Sequence, residues 1–177
     1  MANIDIHELE SFPKVLKGNC ASWYAVIDAC DSAMVQQKVH GNAEGVRCLF
    51  LGAAKENYWR IAPHVMKLTD DSLAWINSEL SGDPWGIYIK SEAGIDAVHR
   101  HLRRFTKVRT PENKIVYFRF YDPRVLIAFV ESSTPEELNE FFGPIDAFGC
   151  EVDETVAVLS KNGVKIDLSS HVLAAKS

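Results

Sequence analysis

Polar side chains that could do chemistry are concentrated in one short stretch, Tyr-Phe-Arg-Phe-Tyr-Asp-Pro-Arg, which begins at Tyr117 and ends at Arg124. Arg119 lies among apolar residues, where a lone guanidinium is too costly to bury, so it must be paired or face an opening. One interpretation is an internal ion network in which Asp122 caps a helix and also holds Arg119 or Arg124. The other is a partner-facing polar spot beside Tyr117 and Tyr121, because arginine and tyrosine are enriched in interface hot spots.

No catalytic or metal-binding set can be assembled from the sequence. GxSxG, GxGxxG and GxxxxGK[ST] are all absent, and the four cysteines lack CxxC spacing. We expect these cysteines to be buried, inert thiols. His99 and His101 are two residues apart on a predicted helix, so they point about 200° apart and cannot share a metal. The sequence therefore predicts no cofactor.

A cluster of basic residues provides a second candidate site. Five of the 19 lysines and arginines fall within ten positions. They could grip an acidic protein segment or a phosphate, or they could form a solvated helix face whose cations complement the helix dipole. The cluster consists of Arg100, Arg103, Arg104, Lys107 and Arg109. The candidate partner-binding residues from both sites are Arg100, Arg103, Arg104, Tyr117, Arg119, Tyr121 and Arg124.

The overall charge and the apolar segments limit the partners. With 177 residues, a formal net charge of −5 and a pI near 5.7, the chain as a whole is not drawn to nucleic acid or anionic lipid. The sequence has no basic segment followed by a signal-like apolar run, and no apolar run approaches the ~18 residues that span a bilayer. We therefore expect a cytoplasmic protein with no nucleic acid or membrane partner.

The elements that must position these residues alternate in type. Residues 115–121 are β-branched and aromatic, which predicts a central strand, and Asp122 followed by proline predicts the start of a helix over 123–131. Residues 52–63 are interpreted as a polar connection. Further strands are predicted at 23–28, 46–51, 64–68, 85–90, 107–109, 146–152, 155–159 and 164–168, and further helices at 32–40, 70–80, 93–104 and 134–142.

This order of elements predicts an α/β fold shading to α+β. We expect a single domain with a mixed β-sheet flanked by helices and ending in a C-terminal β-hairpin around Asn162-Gly163.

Several blocks of the sequence resemble the domain-of-unknown-function 4123 family. They are Trp-Gly at 85–86, His-Arg-His-Leu-Arg-Arg-Phe at 99–105, Tyr-Phe-Arg-Phe-Tyr-Asp-Pro-Arg-Val-Leu at 117–126 and Phe-Phe-Gly-Pro at 141–144. The resemblance divides the chain into an N-terminal segment, 1–22, a family core, 23–144, and C-terminal strands, 145–177, that complete the same domain.

What the resemblance implies is a non-enzymatic adaptor or chaperone of bacterial type VI secretion. Members of that family are understood to bind a cognate effector in the cytoplasm and to help load it onto the spike protein or its tip. Many members carry a long C-terminal extension, whereas only residues 145–177 follow the core here, so contact with the spike is less firmly implied. The alternatives are a small-molecule or anion-binding protein or enzyme that uses Arg119, Asp122 and Arg124, or an immunity protein that neutralises a toxin.

Overall fold

The computed structural model describes residues 16, 18–30, 32–41, 45–110, 112–152, 155–160 and 167–169. The helices are α1 (Ala33–Gly41), α2 (Gly52–Tyr58), α3 (Asp70–Glu79), α4 (Ile95–Leu102), α5 (Pro123–Ser132) and α6 (Pro135–Phe142), with short 3-10 turns at Cys20–Ser22 and Arg103–Phe105. The strands are β1 (Trp23–Asp28), β2 (Val46–Cys48), β3 (Pro63–Lys67), β4 (Gly86–Lys90), β5 (Lys107–Arg109), β6 (Ile115–Tyr117), β7 (Ala147–Val152), β8 (Thr155–Ser160) and β9 (Asp167–Ser169).

Seven strands form the main sheet, in the order β2-β3-β1-β4-β7-β8-β9. Every pairing described in this sheet is antiparallel, including β8 with β9, which is the predicted C-terminal hairpin. The turn predicted at Asn162-Gly163 lies outside the described residues, as does most of the predicted N-terminal segment. The predicted fold class, one α/β domain shading to α+β, is confirmed. The sequence predicts a sheet that combines parallel and antiparallel strands, but all the pairings described are antiparallel, which is typical of α+β folds.

The sheet is covered on both faces, which explains why its central strands are apolar without alternation. Tyr24 and Val26 of β1 point into a core shared with α4, α5 and α6. The residues between them, Trp23, Ala25 and Ile27, point into a second core with α1 and α3. The fold therefore has three layers, and neither face of β1 reaches solvent.

The ring of Phe141, fully buried on α6, is the centre of the first core. It stacks on Phe148 of β7, with ring centroids 4.9 Å apart, and meets Phe129 of α5 edge-on at the same distance. Phe105, which follows α4, and Phe118, which follows β6, also contact it. One side chain therefore ties three helices and the sheet to the segment that leaves β6.

The glycine that follows α6 leaves room for the ring of His101, which contacts the end of this helix. Gly143 has φ +48°, and a Cβ there would overlap the ring of His101. That ring lies 2.7 Å from the carbonyl oxygen of Phe141 through Nε2, and burial lowers the pKa of His101. The helix can end in this way only with glycine, because other residues rarely adopt this φ and none would leave room for the imidazole.

The prediction of a central strand over 115–121 is wrong. Only Ile115–Tyr117 is a strand, and it pairs with β5 in a separate two-stranded ribbon. Ile115 is 64% exposed, whereas Phe120 and Tyr121 turn inward and are buried. An alternating apolar run is typical of strands, but periodicity alone cannot distinguish a core strand from a ribbon on the surface.

The interpretation of residues 52–63 as a connection also needs correction, since Gly52–Tyr58 is helical. This helix has no side-chain N-cap: Leu51 precedes it and its first residue is glycine. The sequence before this helix therefore lacks a polar capping residue, which is the usual sign of a helix N-terminus.

A buried histidine makes the fold sensitive to acid. His64 of β3 is 4% exposed, and its Nδ1 lies 2.7 Å from the carbonyl oxygen of Ala62. Burial lowers its pKa from 6.5 to about 4, against the effect of that hydrogen bond and together with the charges of His40 and Lys55. Between these two pH values the unfolded chain binds a proton that the folded chain does not, so stability falls as the pH falls.

We predict that acidification from pH 7 to pH 5 costs the wild type about 2 kcal/mol of unfolding free energy through His64 alone. His64→Asn keeps a donor near the Nδ1 position but cannot titrate. Its unfolding free energy, from urea denaturation at both pH values, should depend less on pH by that amount. An equal pH dependence in the two proteins would contradict the assignment.

Candidate functional site

Asp122 forms the N-cap of α5 and an ion pair with Arg124. Its Oδ1 accepts hydrogen bonds from the backbone N–H of Arg124 at 3.0 Å and from Nε at 2.9 Å, and its Oδ2 accepts one from Nη2 at 2.7 Å. These bonds hold the pKa of Asp122 below its ordinary value, against the effect of its burial. The Asp122 carboxylate is buried while the Arg124 side chain is largely exposed. The Arg124 side chain therefore lies on the solvent side of the carboxylate at the start of α5.

Arg119 is paired with a residue that the sequence reasoning missed. Its Nη2 donates to Oδ2 of Asp28 at 2.6 Å, across 91 positions of the chain. This bond raises the pKa of Arg119 against the effect of burial. A signal was present in the sequence, because Asp28 is the one charged residue of the otherwise apolar strand β1. The ion network of the sequence analysis is thus two separate pairs.

A pocket of about 380 Å³ opens beside the Arg119–Asp28 pair. Its walls come from the end of β1, the segment between β2 and β3, and the segment from β6 to α5. We call it the tyrosine pocket. Its lining residues are Asp28, Cys30, Phe50, Tyr58, Ile61, Tyr117, Arg119 and Tyr121.

The three tyrosines of the pocket differ in exposure. Tyr58 and Tyr117 are about half exposed at the rim, and the Tyr117 ring lies 5.3 Å from that of Phe50. Tyr121 is buried, and burial together with the charge of Asp28 raises its pKa, against the effect of Arg119. Its hydroxyl is therefore neutral, and the inner wall of the pocket is aromatic with one compensated ion pair.

Exposed apolar side chains are concentrated around this pocket. Of the nine large hydrophobic residues that are exposed in the described part of the chain, eight belong to two segments, 51–61 and 108–117. Met34 is the exception. The eight are Leu51, Tyr58, Trp59, Ile61, Val108, Ile115, Val116 and Tyr117. We call the two segments the rims, because they contribute Tyr58, Ile61 and Tyr117 to the lining of the pocket. Such a concentration is typical of an interaction surface, because single scattered apolar residues are the norm elsewhere.

The predicted basic cluster is dispersed in the fold. Arg104 pairs with Glu140 of α6 at 3.2 Å, and Arg109 donates to Asn113 in the β5–β6 turn at 2.6 Å. Lys107 lies over the ring of Tyr117, 5.2 Å from its centroid. Arg100 is exposed on α4. Of the predicted partner-binding residues, Tyr117, Arg119 and Tyr121 line the pocket, whereas Arg100, Arg103, Arg104 and Arg124 do not.

The expectation that all four cysteines are buried is confirmed for Cys20 and Cys150, whereas Cys30 is exposed and Cys48 is partly buried. Burial raises the pKa of Cys150 to about 12, and burial with the neighbouring Asp70 raises that of Cys20 to about 11. Neither thiol is ionised near neutral pH, so neither is activated as a nucleophile. Within the described part of the chain, no helix is long and apolar enough to cross a membrane.

The fold and site define a three-layer α/β domain with an exposed aromatic pocket. Residues 23–140 match the family model described as Domain of unknown function (DUF4123). The chain belongs to the domain-of-unknown-function 4123 family. No curated protein and no solved structure matches the chain.

Two substitutions of Asp122 separate the stability contributed by its N-cap from that contributed by its ion pair with Arg124. Asp122→Ala should lower the unfolding free energy by about 1 kcal/mol through loss of the cap, and by more because Arg124 loses its partner. Asp122→Asn keeps a capping oxygen and should lose less. Denaturant unfolding of both variants measures the difference, and equal losses would show that the cap contributes nothing beyond the ion pair.

Proposed function

We propose that this protein is a non-enzymatic adaptor that binds a polypeptide partner in the tyrosine pocket. The partner in this proposal is a cognate type VI secretion effector, which the adaptor binds in the cytoplasm and helps load onto the spike protein or its tip. The family resemblance supports the identity of the partner. The tyrosine pocket supports the mode of binding.

The observation that carries the proposal is the half-exposed pair Tyr58 and Tyr117 at the mouth of an aromatic pocket. Leaving apolar surface in water costs about 25 cal/mol per Å². A surface that keeps eight large apolar residues exposed on two adjoining segments gains that free energy when a partner covers it. Tyrosine suits this role, because its large ring loses little conformational entropy on binding and its hydroxyl stays hydrated at the rim.

Binding of a small anion is less well supported by the same geometry. Arg119 in the pocket is already bonded to Asp28, so the two charges compensate each other and Arg119 is not available as a free cation. Arg124 is likewise bonded to Asp122. An anionic ligand that used Arg119 or Arg124 would have to break one of these pairs, whereas an apolar side chain could enter the pocket and leave both intact.

We predict that Tyr58→Ser combined with Tyr117→Ser weakens partner binding about tenfold or more, the loss expected when anchor rings are truncated. The measurement is co-purification of the tagged protein from its own cells, with mass spectrometry of the retained effector. Met34→Ser is the matched control, since it removes an exposed apolar side chain that does not line the pocket. The melting temperature should not change, because both tyrosine rings are half exposed.

Retention of the effector at wild-type level by the double variant would refute the pocket as the binding site. Truncation of the recovered effector separates an adaptor from an immunity protein. An adaptor should retain the effector's loading region after the toxic domain is deleted. Retention that requires the toxic domain would refute the adaptor function.

A further inference from the structure

The charge of the chain is distributed unevenly, and the positive part borders the tyrosine pocket. From Arg100 to Arg119 there are seven lysines and arginines and one carboxylate, Glu112. This stretch carries a net charge of +6, so the rest of the chain carries −11. Arg104 and Arg119 are paired with Glu140 and Asp28. The cations that bear on the pocket are therefore those exposed on the ribbon, Lys107, Arg109 and Lys114.

The register of the ribbon places these cations beside exposed apolar residues. Lys107 lies opposite Tyr117, and Arg109 lies opposite Ile115. Directly opposed residues project from the same face of an antiparallel pair. One face of the ribbon therefore presents two apolar side chains, each with a cation across from it.

The other rim carries two cations, Lys55 and Arg60, which flank the pocket residue Tyr58 in sequence. Arg60 lies over the ring of Trp59, with its guanidinium carbon 5.5 Å from the ring centroid. Lys55, one helical turn before Tyr58, lies close enough to Cys48 to act on the pKa of its thiol. The Trp59 ring packs on that of His40, with centroids 4.3 Å apart, and does not line the pocket. The pairing of a cation with a pocket-lining ring is therefore made by the ribbon, where Lys107 lies over Tyr117.

The carboxylates near the pocket do not cancel the positive charge of the rims. Asp28 is neutralised by Arg119. Glu112 lies in the exposed turn at the far end of the ribbon, and Glu56 is exposed on α2 between Lys55 and Arg60 in sequence. The two rims together, 51–61 and 108–117, contain four basic and two acidic residues, and Lys107 directly precedes the second rim.

From this complementarity we infer that the pocket binds a polypeptide segment in which an apolar or aromatic anchor residue is flanked by aspartate or glutamate. The anchor occupies the space between Phe50, Tyr58 and Tyr117, and the flanking carboxylates pair with Lys107 and Arg109 on the ribbon. The inference rests on the proposed function in that it describes the segment by which the adaptor would recognise its partner.

A peptide fits this surface better than a phosphate-rich polymer or an anionic membrane. The lining of the pocket is aromatic, and the cations lie beside exposed rings instead of forming one continuous groove. The negative charge of the rest of the chain would repel an extended polyanion. A short acidic segment with an apolar centre meets both the rings and the cations.

The test is a selection of random dodecapeptides displayed on phage against the immobilised protein. We expect enriched sequences with an aromatic residue or leucine within three positions of aspartate or glutamate. Labelled versions of these peptides should bind in fluorescence anisotropy, more weakly at high salt because the pairing is solvent-exposed. Tyr58→Ser with Tyr117→Ser should abolish this binding, which would localise the peptides to the pocket.

Charge reversal then tests the role of the ribbon. Lys107→Glu with Arg109→Glu should weaken peptide binding about tenfold, and a peptide whose acidic residues are changed to lysine should recover affinity for this variant. Lys67→Glu is the control, because Lys67 is exposed at the end of β3 far from Pro63, which pairs with Asp28. Rescue by the swapped peptide would be unexpected if the reversed charges had simply unfolded the ribbon.

The inference would be overturned if the selected peptides lacked acidic residues. It would also be overturned if their affinity changed neither with salt concentration nor with the charge reversal of Lys107 and Arg109. The two proposals fail separately. If the effector co-purifies equally with the charge-reversed variant, the adaptor function stands and the acidic recognition segment is refuted. If acidic peptides bind as expected and no effector is retained, the chemistry of the pocket stands and the secretion role is refuted.

Discussion

The buried ring of Phe141 is the contact on which the arrangement of the other elements depends. It packs against rings from α5, from β7 and from the segments that follow α4 and β6. Because the β5–β6 ribbon is outside the main sheet, its position is fixed largely by where its ends are anchored. Phe118 and Phe120 provide that anchor immediately after β6. The aromatic core therefore determines where Tyr117, and with it one wall of the pocket, can lie.

Elements whose local chemistry agrees with their environment could be predicted from the sequence. The strands of the main sheet are apolar on both faces, and Asp122 and Thr134 cap α5 and α6 with their own side chains. The sequence predicts a hairpin between 107–109 and 115–121, and β5 does pair with β6. Its position on the surface could not be predicted, because Ile115 and Val116 have the composition of core residues but are exposed. The partner of Arg119 could not be identified either, because only the folded sheet brings Asp28 next to it.

The blocks that reveal the family consist mainly of packing residues. Leu102, Phe120 and Leu126 are fully buried in the first core, and Gly143 is required by the ring of His101. Tyr58 and Ile61 of the pocket lie outside every block on which the resemblance was based. A sequence resemblance of this kind identifies the scaffold well and says much less about the surface that the scaffold presents.

The ion pair between Arg119 and Asp28 also has a consequence for how the molecule folds. It joins residues 91 positions apart, and the walls of the pocket come from three separate parts of the chain. Closing so long a loop is slow compared with forming local helices, so the pocket is completed late in folding. A partner that needs the finished pocket cannot bind an incompletely folded chain. By mass action, any partner specific for the finished pocket would draw the population toward the native state.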